Sequence, residues 1–277
     1  SLQELITVGR AADHAGIDLF HAPHYVVPFT RTPFVVTVHD LIHLHHPNPL
    51  ARLYARQMIG RAVRNSRRVL TVSEAVKRDI VATFGCLGDH VVVTPNGVGA
   101  PFAASGPAAG GRYFLYVGND KPHKNVGVLI EACATLDATL VLTGAPFERF
   151  RARDGVVVTG FVDDGELAAL YRGAIALVMP SREEGFGLPA LEAMACGGVV
   201  ITSNDPALVE ITGDAALHVN LNGEPDADAL RDAMRRLASD EALRQTLASR
   251  GIERARTFTW RRCADLTRGV YRAAIGR

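Results

Sequence analysis

Two glutamates separated by seven residues are the side chains in this sequence with the clearest chemical potential. Glu184 and Glu192 lie within "PSREEGFGLPALEAMACG" (residues 180–197), a stretch that follows an apolar run. A carboxylate accepts hydrogen bonds from hydroxyl groups, and the two oxygens of Glu192 can accept both hydroxyls of a vicinal diol such as a ribose. Glu184 stands on the other side of a glycine-rich segment and can bind hydroxyls on a second part of the same ligand.

The residues between the two glutamates predict a tight corner followed by a helix. Gly185 and Gly187 permit a close approach of the backbone to a ligand. Pro189 is tolerated in the first turn of a helix, where its missing N–H costs no hydrogen bond. We therefore expect a strand to end at Met179 and a helix to begin near Leu188. The free N–H groups and the dipole at such a helix start form an anion site suited to phosphate.

Positive charge for such an anion is supplied by the segment "YVGNDKPHKNVGVLI". Gly118 is predicted to end a strand, and Lys121 and Lys124 flank Pro122 and His123 where the next helix starts. A lysine at a helix start is unfavourable because the helix dipole places partial positive charge there, so its presence indicates an anionic ligand. The two lysines are expected to neutralise a diphosphate and to stabilise the charge that develops as it departs.

The composition argues against several other classes of function. The chain has 277 residues, of which 48% are hydrophobic, enough for one large or two medium domains. Its 30 Lys and Arg residues nearly balance its 29 Asp and Glu residues, so no overall field favours nucleic acid. It has no uninterrupted apolar stretch of about 18 residues that would predict a membrane span. Four isolated cysteines favour a reduced, cytoplasmic setting. No metal site is predicted, and His43, His45 and His46 are interpreted as loop residues.

Short apolar strands alternate with helical patterns along the chain, which predicts parallel sheets covered on both faces. The segment "NGVGAPFAASGPAAGGR" interrupts this alternation, so a linker is expected near 99–111. We predict an α/β protein with two Rossmann-like domains, 1–104 and 105–277, the second including the terminal helices. Ligands of such sheets bind beyond the carboxyl ends of the strands, where the glutamates and lysines are expected.

Six motifs in order resemble the retaining glycosyltransferases of family 4, which have the GT-B fold. They are "VTVHDL", "VLTVSEAVKRDI", "PNGV", "FLYVGNDKPHKN", the E-x7-E segment "EGFGLPALEAMACG" and "LVEITGDAALHV", and the resemblance covers nearly all of the chain. It implies two domains that face each other across a cleft. Chains of this family commonly have further strands before "IDLFHAP", so the first domain is expected to lack its N-terminal strands.

The resemblance also implies roles for individual residues. Glu184 would contact the hydroxyls of the donor sugar, Glu192 the nucleotide ribose and Lys124 the diphosphate. Family members often carry an arginine where His123 stands, and Lys121 is expected to supply the second positive charge. The predicted donor-binding residues are Gly118, Lys121, Lys124, Gly160, Phe161, Glu184, Gly185, Phe186, Gly187, Leu188 and Glu192, with Gly160 and Phe161 beside the base. The predicted catalytic residues are His39, Lys124 and Glu184, with His39 facing the sugar from the first domain.

The predicted function is therefore transfer of a hexose, with mannose suggested, from a GDP- or UDP-linked donor to an acceptor hydroxyl with retention of configuration. The expected acceptor is a saccharide or a lipid-linked saccharide in bacterial polysaccharide or glycolipid synthesis, and neither a cofactor nor a metal is expected. The arginines within 52–68 predict either a solvated helix face or contact with anionic lipid. The expected location is the cytoplasm, with peripheral contact at the inner face of the membrane.

Three alternatives remain open at the level of the sequence. Gly185-x-Gly187-x-x-Ala190, with Asp205 after the next strand, also matches a dinucleotide fingerprint and would make the protein an NAD-dependent oxidoreductase. That fingerprint should directly follow its strand, whereas residues 180–184 intervene. A sugar-nucleotide epimerase would release a modified sugar nucleotide without an acceptor. A non-catalytic fragment would bind a nucleotide sugar and turn nothing over.

Overall fold

The computed structural model describes residues 2–144, 147–221 and 227–276. The α-helices in these residues are α1 (Leu2–His14), α2 (Pro49–Asn65), α3 (Glu74–Phe84), α4 (Val126–Cys133), α5 (Asp164–Gly173), α6 (Leu188–Ala195), α7 (Pro206–Thr212), α8 (Ala227–Ser239), α9 (Glu241–Ala255) and α10 (Trp260–Ile275). The strands are β1 (Phe20–Ala22), β2 (Phe34–Val38), β3 (Val69–Thr71), β4 (Val91–Val93), β5 (Tyr113–Gly118), β6 (Thr139–Gly144), β7 (Val156–Gly160), β8 (Ala176–Met179), β9 (Val200–Ser203) and β10 (Ala216–Val219). The predicted α/β class is confirmed.

The first of two compact units consists of Ser1–Asn96 and Trp260–Arg277. Its sheet has four parallel strands in the order β1-β2-β3-β4. Every residue of β2 and β3 is buried, as expected for strands covered on both faces. The buried side chains of α2 and α3, among them Ile59 and Ile80, belong to the core on one side of this sheet.

The division of the chain differs from the predicted one in two respects. The boundary lies between Asn96 and Gly97 rather than between residues 104 and 105, and α10 belongs to the first unit. Contacts of α10 give the physical reason: Val270 packs with Val35 of β2. The hydroxyl of Tyr271 lies 2.6 Å from Nδ1 of His21. The helical pattern at the end of the sequence carried no sign of which sheet the last helix would cover.

The second unit, Gly97–Thr259, contains a six-stranded parallel sheet in the order β10-β9-β8-β5-β6-β7. Its central strands are continuous apolar runs, and Phe114, Leu140 and Val178 are fully buried in the core. No helix in the described parts of the chain is both long and apolar enough to cross a membrane.

The strand order creates a switch point beside β5. From β5 the chain adds β6 and β7 toward one edge, then returns to β8 on the other side of β5 and continues to β9 and β10. The loops that leave the carboxyl ends of β5 and β8 therefore diverge, which opens a crevice in which parallel α/β sheets bind ligands. Gly118 ends β5 and Met179 ends β8, as predicted.

Candidate functional site

Two loops at the switch point carry the predicted lysines and glutamates. Residues 119–125 follow β5, and residues 180–187 follow β8. The backbone N–H of Arg182 donates to the carbonyl of His123 at 2.7 Å, which joins the two loops directly. In the first loop, residues Pro122–Lys124 form a 3-10 turn, and Asn125 has a φ of +57° before α4 begins at Val126. This left-handed residue separates the turn from the helix, so Lys124 lies just before α4.

Lys124 and Glu184 form an ion pair between these loops. Lys124 Nζ lies 2.6 Å from Glu184 Oε1, and the two side chains are only 18% and 9% exposed. A pair this well shielded is screened less by salt than a surface pair. The ammonium has three N–H donors, so Lys124 can hold Glu184 and still donate to phosphate oxygens. The structure therefore brings together the residue predicted for the diphosphate and the residue predicted for the sugar.

The glycine corner after Glu184 has the predicted geometry. Helix α6 begins at Leu188, and Gly187 before it has a φ of +92°, a left-handed conformation that other residues rarely adopt. A Cβ atom on Gly187 would lie 2.5 Å from Cδ2 of Leu208, so packing also requires glycine here. The N-cap residue of α6 is Gly187, which has no side chain to cap the first turn. Pro189 has no N–H, and the N–H groups of Ala190 and Leu191 donate to the carbonyl of Gly187 at 3.0 and 3.3 Å. The N–H groups of Gly187 and Leu188 are therefore the ones that suit an anion.

Asp205 fixes the backbone at Glu184. Its Oδ1 accepts hydrogen bonds from the N–H groups of Ala207 and Leu208 at 3.0 and 3.1 Å, which caps α7. Its Oδ2 accepts from the N–H of Glu184 at 3.4 Å. Asp205 is 6% exposed, and burial raises its pKa to about 6 although the amide hydrogen bonds oppose this shift. Because both oxygens of Asp205 bind the protein's own backbone, the structure favours a capping role over the ribose contact that a dinucleotide fingerprint would need.

Glu192 lies in the second turn of α6 and binds Tyr171 of α5. The hydroxyl of Tyr171 donates to Glu192 Oε2 at 2.9 Å. Burial raises the pKa of Glu192 to about 7; the hydrogen bond from Tyr171 lowers it and the charge of Asp164 raises it. At neutral pH this carboxyl group is thus divided between its acid and its carboxylate forms. The other oxygen of Glu192, Oε1, makes no hydrogen bond to the described residues.

The residues predicted beside the base lie at the end of the edge strand β7, which Gly160 ends and Phe161 follows. A register shift between β6 and β7 places Gly160 opposite Thr143, and Oγ1 of Thr143 donates to the carbonyl of Gly160 at 2.9 Å. Phe161, the next residue, is 85% exposed. A large apolar ring held at the carboxyl edge of the sheet can stack on a flat ligand. Lys121, at the start of the 3-10 turn, is exposed.

Comparison with known proteins identifies the family. The family described as "Glycosyl transferases group 1" matches residues 101–254, more than half of the chain, and "Glycosyltransferase Family 4" matches residues 1–100. The chain belongs to the group 1 glycosyl transferases. The family predicted from the sequence motifs is confirmed, and the protein is a transferase with the GT-B class of fold.

Individual relatives of this glycosyltransferase agree with that assignment. The O-antigen chain mannosyltransferase B of Escherichia coli is 29% identical over 285 residues, which cover 92% of this chain and 74% of that protein. The sucrose-phosphate synthase of Thermosynechococcus elongatus has a similar structure, with a TM-score of 0.83, 24% identity, and coverage of 98% of this chain and 77% of that one. The Anabaena protein HepE in complex with UDP-glucose has a TM-score of 0.78 and 18% identity, with coverage of 100% and 84%.

One predicted catalytic residue of this glycosyltransferase belongs to the other unit. His39 follows β2 in the first unit, whereas the predicted donor-binding residues belong to the second. Its Nε2 lies 3.1 Å from the carbonyl oxygen of Pro23, and the side chain is exposed. The contact orients the imidazole ring at the carboxyl end of β2. In the described residues, no group of three or more His, Cys, Asp or Glu side chains is placed to hold a metal ion.

Two side chains in this glycosyltransferase's site were not found from the sequence. Tyr171 lies in an ordinary amphipathic helix, and only the packing of α5 against α6 brings its hydroxyl to Glu192. Tyr116 lies inside an apolar strand, where its hydroxyl donates to the carbonyl of Asn119 at 2.7 Å. Burial raises the pKa of Tyr116, and the nearby charge of Glu184 adds to this. Neither tyrosine has a spacing in the sequence that would indicate a role.

Proposed function

We propose that this glycosyltransferase moves a hexosyl group from a nucleoside diphosphate sugar to an acceptor hydroxyl, with retention of configuration at the anomeric carbon. The observation that carries the proposal is the shielded ion pair of Lys124 and Glu184 beside the start of α6, with 2.6 Å between Nζ and Oε1. A cation, the N–H groups of Gly187 and Leu188, and a carboxylate that would bind the sugar thus lie on or beside the loops after two adjacent strands. A nucleoside diphosphate sugar has a diphosphate for the cation and the N–H groups, followed by sugar hydroxyls for the carboxylate.

The diphosphate would bind at the glycine corner. Lys124 and the N–H groups of Gly187 and Leu188 would bind its oxygens, and Lys121 would supply a second positive charge. These groups stabilise the negative charge that grows on the diphosphate as the bond to the anomeric carbon breaks. Because these fixed charges and dipoles match that developing charge, we propose a reaction without a cofactor or a metal.

Glu184 would hold the sugar by its hydroxyl groups. Its carboxylate is fixed by Lys124 and its backbone N–H by Asp205, so it is a positioned anchor. As the bond between the anomeric carbon and the phosphate oxygen breaks, the acceptor oxygen forms its bond on the same face of the sugar. The proton of the acceptor hydroxyl passes to the departing phosphate oxygen. This route needs no second carboxylate as a nucleophile, unlike the retaining glycosidases. His39 of the first unit is also proposed as a catalytic residue.

The proposal extends to the sugar and the nucleotide of the donor. We propose mannose, supported by the mannosyltransferase name of the E. coli relative, and GDP or UDP as the leaving group. The Anabaena protein of similar fold was solved with UDP-glucose. The proposed acceptor is a hydroxyl of a saccharide or a lipid-linked saccharide in bacterial polysaccharide synthesis. Since all four cysteines are free thiols, we propose the cytoplasm as the site of the reaction. We also propose that the arginines within 52–68 contact anionic lipid.

A titration of the protein with GDP, UDP and ADP by calorimetry tests this function. One nucleotide is expected to bind at least about tenfold more tightly than the other two, because a base pocket beside Phe161 discriminates by shape and hydrogen bonding. With the matching nucleotide sugar, the protein should release that nucleotide slowly as the sugar is transferred to water, and faster when a saccharide acceptor is present. Tight binding of NAD with no binding of any nucleoside diphosphate at millimolar concentration would contradict the proposal.

A further inference from the structure

We infer that Tyr171 is a positioning residue that makes Glu192 present a single, titratable oxygen, Oε1, to the nucleotide ribose. The inference rests on the proposed function, since it concerns how the same site recognises its donor. It goes further in assigning a role to a residue outside the predicted site and in predicting that donor affinity depends on pH.

The geometry around Tyr171 supports a fixed hydrogen bond. Tyr171 is 1% exposed, and its ring packs edge-on against Phe102 with 6.0 Å between the ring centroids. A Cβ atom on Gly198 would lie 2.8 Å from the carbonyl oxygen of Tyr171, so the backbone on this side is also tightly enclosed. The hydroxyl therefore has little freedom to leave Glu192 Oε2, from which it is separated by 2.9 Å. A phenol held in this way keeps its proton and donates a hydrogen bond to the carboxylate.

The hydrogen bond decides where a proton on Glu192 resides. Because Oε2 accepts from Tyr171, protonation of the carboxyl group occurs on Oε1. The ionised group then offers an acceptor to a ribose hydroxyl, whereas the protonated group presents an O–H on the same atom. Both ribose hydroxyls are natural donors toward an anion, so the ionised form is the one that binds the nucleotide best.

Burial and the charged groups around this pair set the pKa of Glu192. Burial raises the pKa of Glu192 to about 7, Tyr171 opposes the shift and Asp164 of α5 adds to it. Cys196, the residue after α6, also interacts with the pair, and burial raises its pKa to about 11, so it is neutral in this range. Arg172 acts on Cys196, whose pKa its charge and its hydrogen bond lower. Among Glu192, Tyr171 and Cys196, Glu192 is the group whose pKa lies between 6 and 8.

Binding of a nucleotide sugar is therefore expected to tighten about tenfold from pH 6 to pH 8, because the ionised fraction of Glu192 grows by about that factor. A nucleotide sugar such as GDP-mannose or UDP-glucose is the right probe, since its diphosphate is esterified at both ends and keeps its charge over this range. The variant E192Q cannot titrate at this position and should bind more weakly, with only the weak pH dependence that Asp205 leaves near pH 6. Calorimetry at pH 7 in two buffers of different ionisation enthalpy should show release of about half a proton by the wild type and none by E192Q.

The variant Tyr171→Phe separates positioning from packing. It keeps the ring and removes the hydrogen bond, so the midpoint of the affinity profile should rise by about half to one pH unit. Loss of thermal stability without a shifted midpoint would show a packing role and overturn the inference. If Tyr171→Phe does not fold, the proton release of the wild type decides the question: no release at pH 7 overturns the inference. Failure of the wild type to bind any nucleotide sugar would overturn the proposed function itself, and the inference with it.

Discussion

Lys124→Met is expected to weaken binding of the preferred nucleoside diphosphate about ten- to a hundredfold, while binding of the corresponding nucleoside stays unchanged. The ammonium would make charge-assisted hydrogen bonds to the diphosphate, and one such bond contributes about 1.5–3 kcal/mol. The nucleoside has no phosphate, so it reports only on the base and ribose contacts. Calorimetric titration of both ligands against the wild type and the variant measures the difference.

The controls for this variant follow from the ion pair. Glu184 is 9% exposed, and loss of its partner leaves a nearly buried carboxylate, so K124M should also lower thermal stability. The double variant K124M/E184Q removes both charges and should recover part of that stability without recovering diphosphate binding. Lys121→Met removes an exposed lysine from the start of the same turn and should have a smaller effect. Equal losses of nucleoside and diphosphate binding in K124M would remove Lys124 from the phosphate site.

Glu184→Gln is expected to lower the rate of sugar transfer about a hundredfold and to leave the affinity for the nucleoside diphosphate within about threefold of the wild type. The substitution removes a charged hydrogen-bond acceptor for the sugar hydroxyls, and a loosely held sugar loses the alignment that the reaction needs. The rate is measured as release of nucleoside diphosphate from the nucleotide sugar, with water or a saccharide as the acceptor.

The neighbouring residue supplies the matched control for this variant. Glu183→Gln changes the net charge equally, one position away on the same loop, and should leave the transfer rate nearly unchanged. If E184Q and E183Q reduce the rate equally, the effect is one of loop charge and not of a sugar contact. If E184Q instead weakens nucleotide binding as strongly as it slows transfer, the division of roles between Glu184 and Glu192 is wrong.

Local chemistry explains which parts of the site could be predicted from the sequence. The start of α6 followed from Gly187 and Pro189, because a left-handed glycine and a proline in the first turn each allow few alternatives. The strand ends at Gly118 and Met179 followed from the limits of continuous apolar runs. Since both strands are parallel neighbours in the sheet, the loops after them meet, and the lysine and the glutamate meet with them.

The parts that could not be predicted depend on contacts between distant segments. The pairing of Tyr171 with Glu192 arises from the packing of α5 on α6, and the hold of Asp205 on Glu184 joins two loops. The last helix covers the first sheet through Val270, although its apolar pattern fits either sheet. The sequence also suggested that both oxygens of Glu192 would bind ribose, whereas the structure shows Tyr171 on one of them. Tertiary packing determines these contacts, and the periodicity of apolar residues along the chain does not reveal them.

A crystal structure of the protein with the nucleoside diphosphate that it binds most tightly tests the central claim most directly. The account predicts phosphate oxygens within hydrogen-bond distance of Lys124 Nζ and of the N–H groups at Gly187 and Leu188, with the ribose on Glu192. Phosphates bound elsewhere on the second unit, with Lys124 still paired only to Glu184, would contradict the account.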